Sequence, residues 1–463
     1  MTNRAWYTHP TVAATASGEI RTRLGIAPNH ASFRVGVLRT HLLTSLLAYT
    51  AAEFLGTSAL VRIRWDDTDA ARSDDAHRAR LLGEVQRVAQ IPVHSGEQDL
   101  RQSLRGSRYN EALRTLAKQG VLASRRGVPC LDIAAVDRLM AEHGRTPEEL
   151  AASVMVNARK AHAPTQDFVP LTRADGRALW HLATVVDDID QRTTLIVRGR
   201  DKINATTVQV RLHWALTSGG APPAHVFLPR LLDEHGSASR IVHLLDSGIR
   251  PAAIRWFLAE PYLGTVPATL PETFADLVSQ ACHVLPKHGD SRFDERRLAS
   301  LDRKISAVLS PAVCACELRD NGASGPAHTI EWVATHYRRP LPQQLRLCQA
   351  LTRPQIDHEP PPEQAEEALR WLDAWTGGTT QDTPPQAVRW VLTGRTDGPG
   401  IDELLAVLPG ALVPGRIAAA RQAVSLANAE RSRRTVRSRP SSSSDSNSGS
   451  PTVRPVTATR TGA

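Results

Sequence analysis

The strongest constraint on this chain is a change of hydrophobic period within its first 65 residues. Ile20 to Ile26 is short and strand-like, Ala27-Pro28-Asn29 is a turn signal, and Val35 to Leu55 carries apolar residues at helical spacing. Ala59-Leu60-Val61-Arg62-Ile63 returns to a β-type run and leads into an acidic cluster, Asp66-Asp67-Thr68-Asp69. A strand, a helix and a second strand within about 50 residues make a βαβ unit, which implies an α/β fold with a parallel sheet. Ligands in such sheets bind beyond the carboxyl ends of the strands, beside helix N-termini that favour anions. The turn from Ala27 to Gly36 is therefore the place to look for phosphate chemistry.

Downstream, Asp75 to Gln90 and Tyr109 to Gly120 have helical periodicity. A second β-rich block follows at Asp167-Phe168-Val169, Leu182 to Val186 and Thr194 to Val197, with Asp187-Asp188-Ile189-Asp190 read as the turn between the last two. Asp137 to His143 and Thr146 to Ala161 look helical, as does Ala205 to Leu216, and Val226 to Leu232 reads as one more strand. Near residue 260 the pattern changes to all-α, with helices expected through Ala429. From Arg431 the chain is Ser, Arg, Pro and Thr with little to bury, and disorder is expected.

At 463 residues the chain exceeds one compact core, and two to four domains are expected. No stretch reaches the roughly 20 apolar residues of a membrane span, and Met1 to Ser17 lacks the basic-then-apolar pattern of a secretion signal, so the expected place is the cytoplasm. The net charge of +9 is uneven: seven arginines against Glu430 and Asp445 put +5 beyond residue 429 and leave +4 for the rest. That balance permits contact with nucleic acid without requiring it. Cys314 and Cys316 form a lone Cys-x-Cys pair, and four zinc ligands are not in view, so the cysteines read as thiols and no metal site is expected.

Several local patterns, in order, resemble those of glutamyl-tRNA synthetases. Ala27-Pro28-Asn29 through Phe33-Arg34-Val35-Gly36-Val37-Leu38-Arg39-Thr40 resembles A-P-S-P-T-G-x-L-H-I-G-x-x-R-T with one residue deleted. Arg64-Trp65-Asp66-Asp67-Thr68-Asp69 resembles R-I-E-D-T-D, and Asp167-Phe168-Val169 through Asp175-Gly176 resembles D-F-V-L-x-R-S-D-G. Val185-Val186-Asp187-Asp188 and Ile196-Val197-Arg198-Gly199-x-Asp201 resemble V-V-D-D and V-I-R-G-E-D. Leu231 to Arg240 resembles the mobile lysine loop, L-I-L-N-E-D-G-K-K-L-S-K-R. The patterns run in register from residue 27 to about 304.

The resemblance implies a class I synthetase: a Rossmann-like parallel-sheet domain followed by an all-α C-terminal half, using ATP with Mg2+ to join an amino acid, glutamate by family, to tRNA. By the family's layout, residues 1–19 are an N-terminal extension and 20–258 the catalytic domain, with an acceptor-binding insertion at about 108–165. Residues 259–335 would contact the tRNA stem, 336–430 would form an anticodon-binding-like helical domain, and 431–463 a basic tail. The insertion's zinc site is not expected, since only Cys130 of its ligands remains. A monomer is expected.

Carried over residue by residue, the catalytic candidates are Arg34, Gly36, Ser239 and Arg240, with Ala27, Gly36 and Arg240 on ATP. The substrate-binding candidates are Arg23, Asn29, Asp66, Trp180, Arg198 and Asp201. Arg23 and Arg198 would grip carboxylates and Asp66 the α-ammonium. Several positions depart from the family. Arg34 replaces a histidine, Ser237 and Arg240 replace two lysines, Asp66 is a methylene shorter than glutamate, Trp180 replaces tyrosine, and Arg200 replaces the acid of R-G-E-D. Ser237 to Arg240 also reads as an ordinary polar turn, and Arg198 with Asp201 as a buried ion pair. Two alternatives to a tRNA ligase stay open: a non-catalytic relative that binds tRNA or an amino acid, and an adenylating ligase with another acceptor.

Overall fold

The computed structural model describes residues 6–13, 18–69, 72–94, 100–158, 164, 166–232, 239–263, 273–282, 285, 289–353, 360–374 and 385–437. They form two compact units, one of residues 1–322 with 333–345, the other of 323–332 with 346–463.

The first unit starts with a short helix α1 (Pro10–Ala13) and then the expected β1 (Ile20–Ile26), α2 (Val35–Leu55) and β2 (Ala59–Trp65). β1 and β2 pair in parallel from Ile20 opposite Ala59 to Ile26 opposite Trp65. α2 covers the sheet with Leu38, Leu42, Leu46 and Leu47, all at most 1% exposed. It stops at Gly56. After α3 (Asp75–Arg87), capped by the Asp74 carboxylate, β3 (Leu100–Arg101) adds a third parallel strand beside β2. Next come α4 (Gly106–Lys118) and the hairpin β4 (Leu122–Arg125) and β5 (Val128–Asp132), then α5 (Ile133–Glu142) and α6 (Pro147–Val154). Cys130 is buried on β5.

The chain then returns through β6 (Met155–Val156) and β7 (Phe168–Pro170) to α7 (Trp180–Asp190), β8 (Leu195–Gly199), α8 (Ile203–Leu216), β9 (Ala224–Leu228) and the short β10 (Leu231–Leu232). β6, β9 and β8 form a parallel sheet in that order, while β7 pairs antiparallel with β5. β8 starts beside β1, where the Thr194 N–H donates to the Arg21 carbonyl at 2.9 Å.

Three expectations fail here, one of them the single strand read from Val226 to Leu232, which is β9 as far as Leu228 and then, past Pro229 and Arg230, the separate β10 in another sheet. Leu182 to Val186 is not a strand and Asp187 to Asp190 is not a turn, because all nine residues lie in α7, whose Leu182 to Asp188 are buried. A short apolar run fits a strand or a helix buried on several sides, and tertiary packing chose the helix. The helix expected from Thr146 to Ala161 ends at Val154, because Met155 and Val156 pair with His225 and Val226 at the sheet edge; residues 159–163 lie outside the described residues.

The rest of the first unit is helical: α9 (Ile241–Asp246), α10 (Pro251–Ala259), α11 (Phe274–Ser279), then the strand β11 (Ser291–Arg292) parallel to β10, α12 (Glu295–Val308) and α13 (Pro311–Asp320). Neither β11 nor α13 was read from the sequence. α14 (Ala327–His336) and α15 (Leu341–Thr352) follow. Arg250, fully buried before α10, gathers the far end of this unit. Its N–H donates to Asp302 at 2.9 Å, its guanidinium to Ser306 Oγ at 3.0 Å and to the Arg339 carbonyl at 3.3 Å, and it also bonds Glu317 and Gln344.

The second unit packs α16 (Ala365–Ala374), α17 (Pro385–Thr393), α18 (Ile401–Val407) and α19 (Val413–Arg437) around Ala368, Leu369, Trp390 and Leu404. Disorder from Arg431 is corrected for 431–437, which continue α19; residues 438–463 lie outside the described residues. No single described helix is long and apolar enough to cross a membrane, although α18 with the following Gly410–Arg433, bent by 104°, reaches that length as a pair.

Candidate active site

A cavity of about 750 Å³ opens beyond the carboxyl ends of the parallel strands. Gly25 brings β1 to it, Asp66 follows β2, Val197 to Gly199 end β8, and Leu228 ends β9. It lies where the chain order reverses: β1 runs on through α2 to β2 on one side and neighbours β8 on the other, the switch point that leaves a crevice in such sheets.

One wall is the start of α2. Arg34 is its N-cap, with an extended backbone (φ −69°, ψ 144°), so the helix presents its positive end to the cavity. Arg34 pairs through an isolated antiparallel bridge with Arg240. The Val35 N–H donates to the Ser239 carbonyl and the Ile241 N–H to the Phe33 carbonyl, both at 3.0 Å. The turn before α2 and the segment that closes the Leu231 to Arg240 stretch therefore meet at one edge of the cavity. Gly36 faces the backbone of β10: a Cβ there would stand 3.1 Å from the Leu231 carbonyl oxygen, tight for any side chain.

The floor is an ion network. The Arg23 Nε donates to Asp188 at 2.9 Å, and the Arg64 Nη1 donates to the same oxygen at 3.0 Å. Arg64 also spans Asp66, with Nε at 2.6 Å and Nη2 at 3.3 Å. One buried carboxylate, Asp188, thus holds two guanidiniums, and their charge keeps it ionised below the usual carboxylate range despite burial. Arg198 differs: its Nη1 donates to neutral partners, Thr206 Oγ1 at 3.0 Å and Gln209 Oε1 at 2.6 Å. Burial, joined by the positive charge of Arg23, pushes its guanidinium down to about 9. A buried cation with neutral partners and an open face to a cavity has the chemistry of an anion receptor. The Arg198–Asp201 ion pair, the alternative reading of these two residues, is not among the described ion pairs; Asp201 pairs with Lys202 at 3.1 Å. Trp180, at the start of α7, stands against Lys202, whose Nζ is 6.0 Å from the ring centre.

Of the sequence candidates, Arg23, Arg34, Gly36, Asp66, Trp180, Arg198, Asp201 and Ser239 line this cavity, while Ala27, Asn29 and Arg240 do not. Arg240 sits at its edge with the guanidinium turned to the Ser32 carbonyl at 2.7 Å. Ser237 lies outside the described residues. Sequence reasoning missed Arg39, His41, Arg64, Lys202 and Arg230 as lining residues. For Arg39 the signal was present, since it stands three residues beyond Gly36 on α2; His41 stands one turn beyond Val37, which also lines the cavity.

The lining suits a polyanion and does not suit a metal ion held by protein alone. Its carboxylates, Asp66 and Asp201, are both ion-paired, and no cluster of three ligating side chains gathers among the described residues. No step below runs through Mg2+.

No protein-family profile matches the chain. It is 28% identical over 407 residues to glutamate–tRNA ligase 2 of Gluconacetobacter diazotrophicus, covering 75% of this chain and 89% of that protein. It is 32% identical over 280 residues to the glutamyl-Q tRNA(Asp) synthetase of Xanthomonas campestris pv. campestris, covering 56% of this chain and 90% of that protein. Among solved structures, a glutamate tRNA ligase from Elizabethkingia meningosepticum, determined with its amino acid, superposes with a TM-score of 0.58 at 14% identity, covering 87% of this chain and 99% of that one.

Proposed function

We propose the reaction from one premise, that this chain belongs to the glutamyl-tRNA synthetase family. The reaction is ATP-dependent activation of glutamate and transfer of the glutamyl group to the 3′ end of a tRNA. The observation that supports it best is the Arg34–Arg240 bridge, which joins the turn before α2 to the segment after β10 beside a cavity floored by Arg23, Asp66 and Arg198. A triphosphate and an amino acid would meet there in the arrangement that in-line attack requires.

In this reading Arg198, whose protein partners are neutral, takes a carboxylate of glutamate. Asp66 takes the α-ammonium, and Arg23 shapes the floor through Asp188. The glutamate carboxylate attacks the α-phosphate of ATP, pyrophosphate leaves, and Arg34 with the N-terminus of α2 stabilises the phosphate charge. Gly36 keeps that approach open, since a side chain would press on the β10 carbonyl. Residues 259–335 and the helices of 336–430 would hold the tRNA stem and anticodon arm, and the Arg-rich tail would add phosphate contacts that carry no sequence information. The protein would act as a cytoplasmic monomer.

One observation favours a second reading, a non-catalytic binder of tRNA or amino acid: the Arg240 guanidinium is spent on the Ser32 carbonyl and does not line the cavity. Pyrophosphate exchange separates the two. Glutamate-dependent exchange is expected in the wild type, and Ser237→Lys, which adds a cation to the loop, should raise it about tenfold or more. No exchange in either protein sinks the ligase reading. Exchange without charging of total tRNA would point to a different acceptor.

A further inference from the structure

One lining side chain has no task in the reading above. His41 lies on α2, is 6% exposed, and faces the cavity. Its Nε2 is buried without a hydrogen-bond partner among the described residues. The ring packs edge-on to Phe33, centres 5.2 Å apart, which fixes its plane. The charges it senses are Asp66 and Arg23, and burial pushes the imidazole down to about 4, so it is neutral near pH 7. A neutral imidazole offers one donor and one acceptor nitrogen. A buried polar atom left without a partner is costly, and it is found where a ligand or water completes it.

The lining itself indicates which ligand group would do so. Arginines and Lys202 far outnumber the carboxylates Asp66 and Asp201, so a zwitterion meets many donors for its carboxylates and few acceptors for its ammonium. An ammonium has three N–H bonds to place. Asp66 is already spanned by Arg64, and Asp201 is held by Lys202. The lone pair of a neutral histidine is an acceptor that adds no further positive charge to this crowd of cations.

We propose that His41 Nε2 accepts a hydrogen bond from the α-ammonium of the amino acid bound in this cavity, sharing that group with Asp66. His41 carries its own proton on Nδ1 in this arrangement. The proposal rests on the cavity being the amino-acid site and adds a contact residue to it.

Calorimetric binding of L-glutamate and of glutarate, the same diacid without the amine, to the full chain tests it. His41→Phe keeps the ring against Phe33 and removes the acceptor; it should weaken glutamate about tenfold and leave glutarate unchanged. His41→Gln, which restores an acceptor oxygen, should recover most of the loss. A Phe variant that binds glutamate like wild type, or loses both ligands alike, overturns the contact. Wild type that binds no glutamate overturns the amino-acid site itself, and the contact with it. Nitrogen NMR of histidine-labelled wild type needs no variant to fold: glutamate should shift the His41 Nε2 signal, and glutarate should not. A shift with both ligands or with neither overturns the assignment.

Discussion

Three histidines, His41, His181 and His213, are each pushed down to about 4 by burial. In the unfolded chain they would take protons near pH 6.5, so the unfolded state binds more protons between roughly pH 6.5 and 4, and stability falls as pH falls through that window. Asp187 opposes them. Burial raises it to about 6, so its native form holds a proton that the unfolded chain releases above about 4, and its share of stability grows on acidification. These four groups alone give a net loss on the order of 3 kcal/mol from pH 7 to pH 5; His225, pushed well down by burial, adds to it, while Glu84, Asp302 and Glu317, raised by burial, oppose it. Urea melts at the two pH values should show it, and equal midpoints would mean that these rings are open to solvent. At this scale the sequence was legible where a residue belonged to a spaced pattern, as Arg198 and Asp66 do. Partner choice was not legible. Arg64 finds Asp188 across 124 residues, and Arg198 bonds Gln209 in preference to the nearer Asp201, because proximity in the fold decides which charges meet.

Among elements, the strand–helix–strand opening was legible because β1, α2 and β2 each keep one period over their whole length. α7 was not: its apolar run is short, and the two acids that look like turn residues are buried ligands of arginines, Asp187 for Arg105 and Asp188 for Arg23 and Arg64. Two-residue strands such as β6, β10 and β11 carry no period at all, and only their partners define them. The end of α9 gives a test of packing between elements. Gly248 has φ +85°, and a Cβ on it would fall 1.9 Å from Pro342 Cγ. Gly248→Ala combines a backbone strain of about 1 kcal/mol with a clash against a rigid ring, so a loss of about 2–4 kcal/mol is expected in denaturant melts. A loss below 1 kcal/mol would mean that Pro342 does not sit over this helix end.

For the whole molecule, the first unit is not a continuous stretch of chain: it ends at residue 322 and resumes at 333–345. The sequence could place the change from α/β to all-α near residue 260, but it could not show this return, because helical periodicity says which face is buried and not against what. Gln344, fully buried, bonds the Arg250 guanidinium and donates to the Tyr337 carbonyl at 2.6 Å. Gln344→Leu leaves a buried cation short of a partner and should cost about 2–4 kcal/mol. Hydrogen exchange locates the damage: protection should fall in α10, which starts just after Arg250, and in α12, which holds its partner Asp302. Loss confined to α16 to α19 would assign residue 344 to the second unit.

The same return dictates an order of events at birth. A ribosome hides the last few tens of residues it has made, so the parallel strands β1 to β9 are outside the exit tunnel long before the segment that closes around Arg250 emerges. Until then a buried guanidinium lacks part of its cage, and the N-terminal half must wait, nearly built, for the C-terminal half to be partly translated.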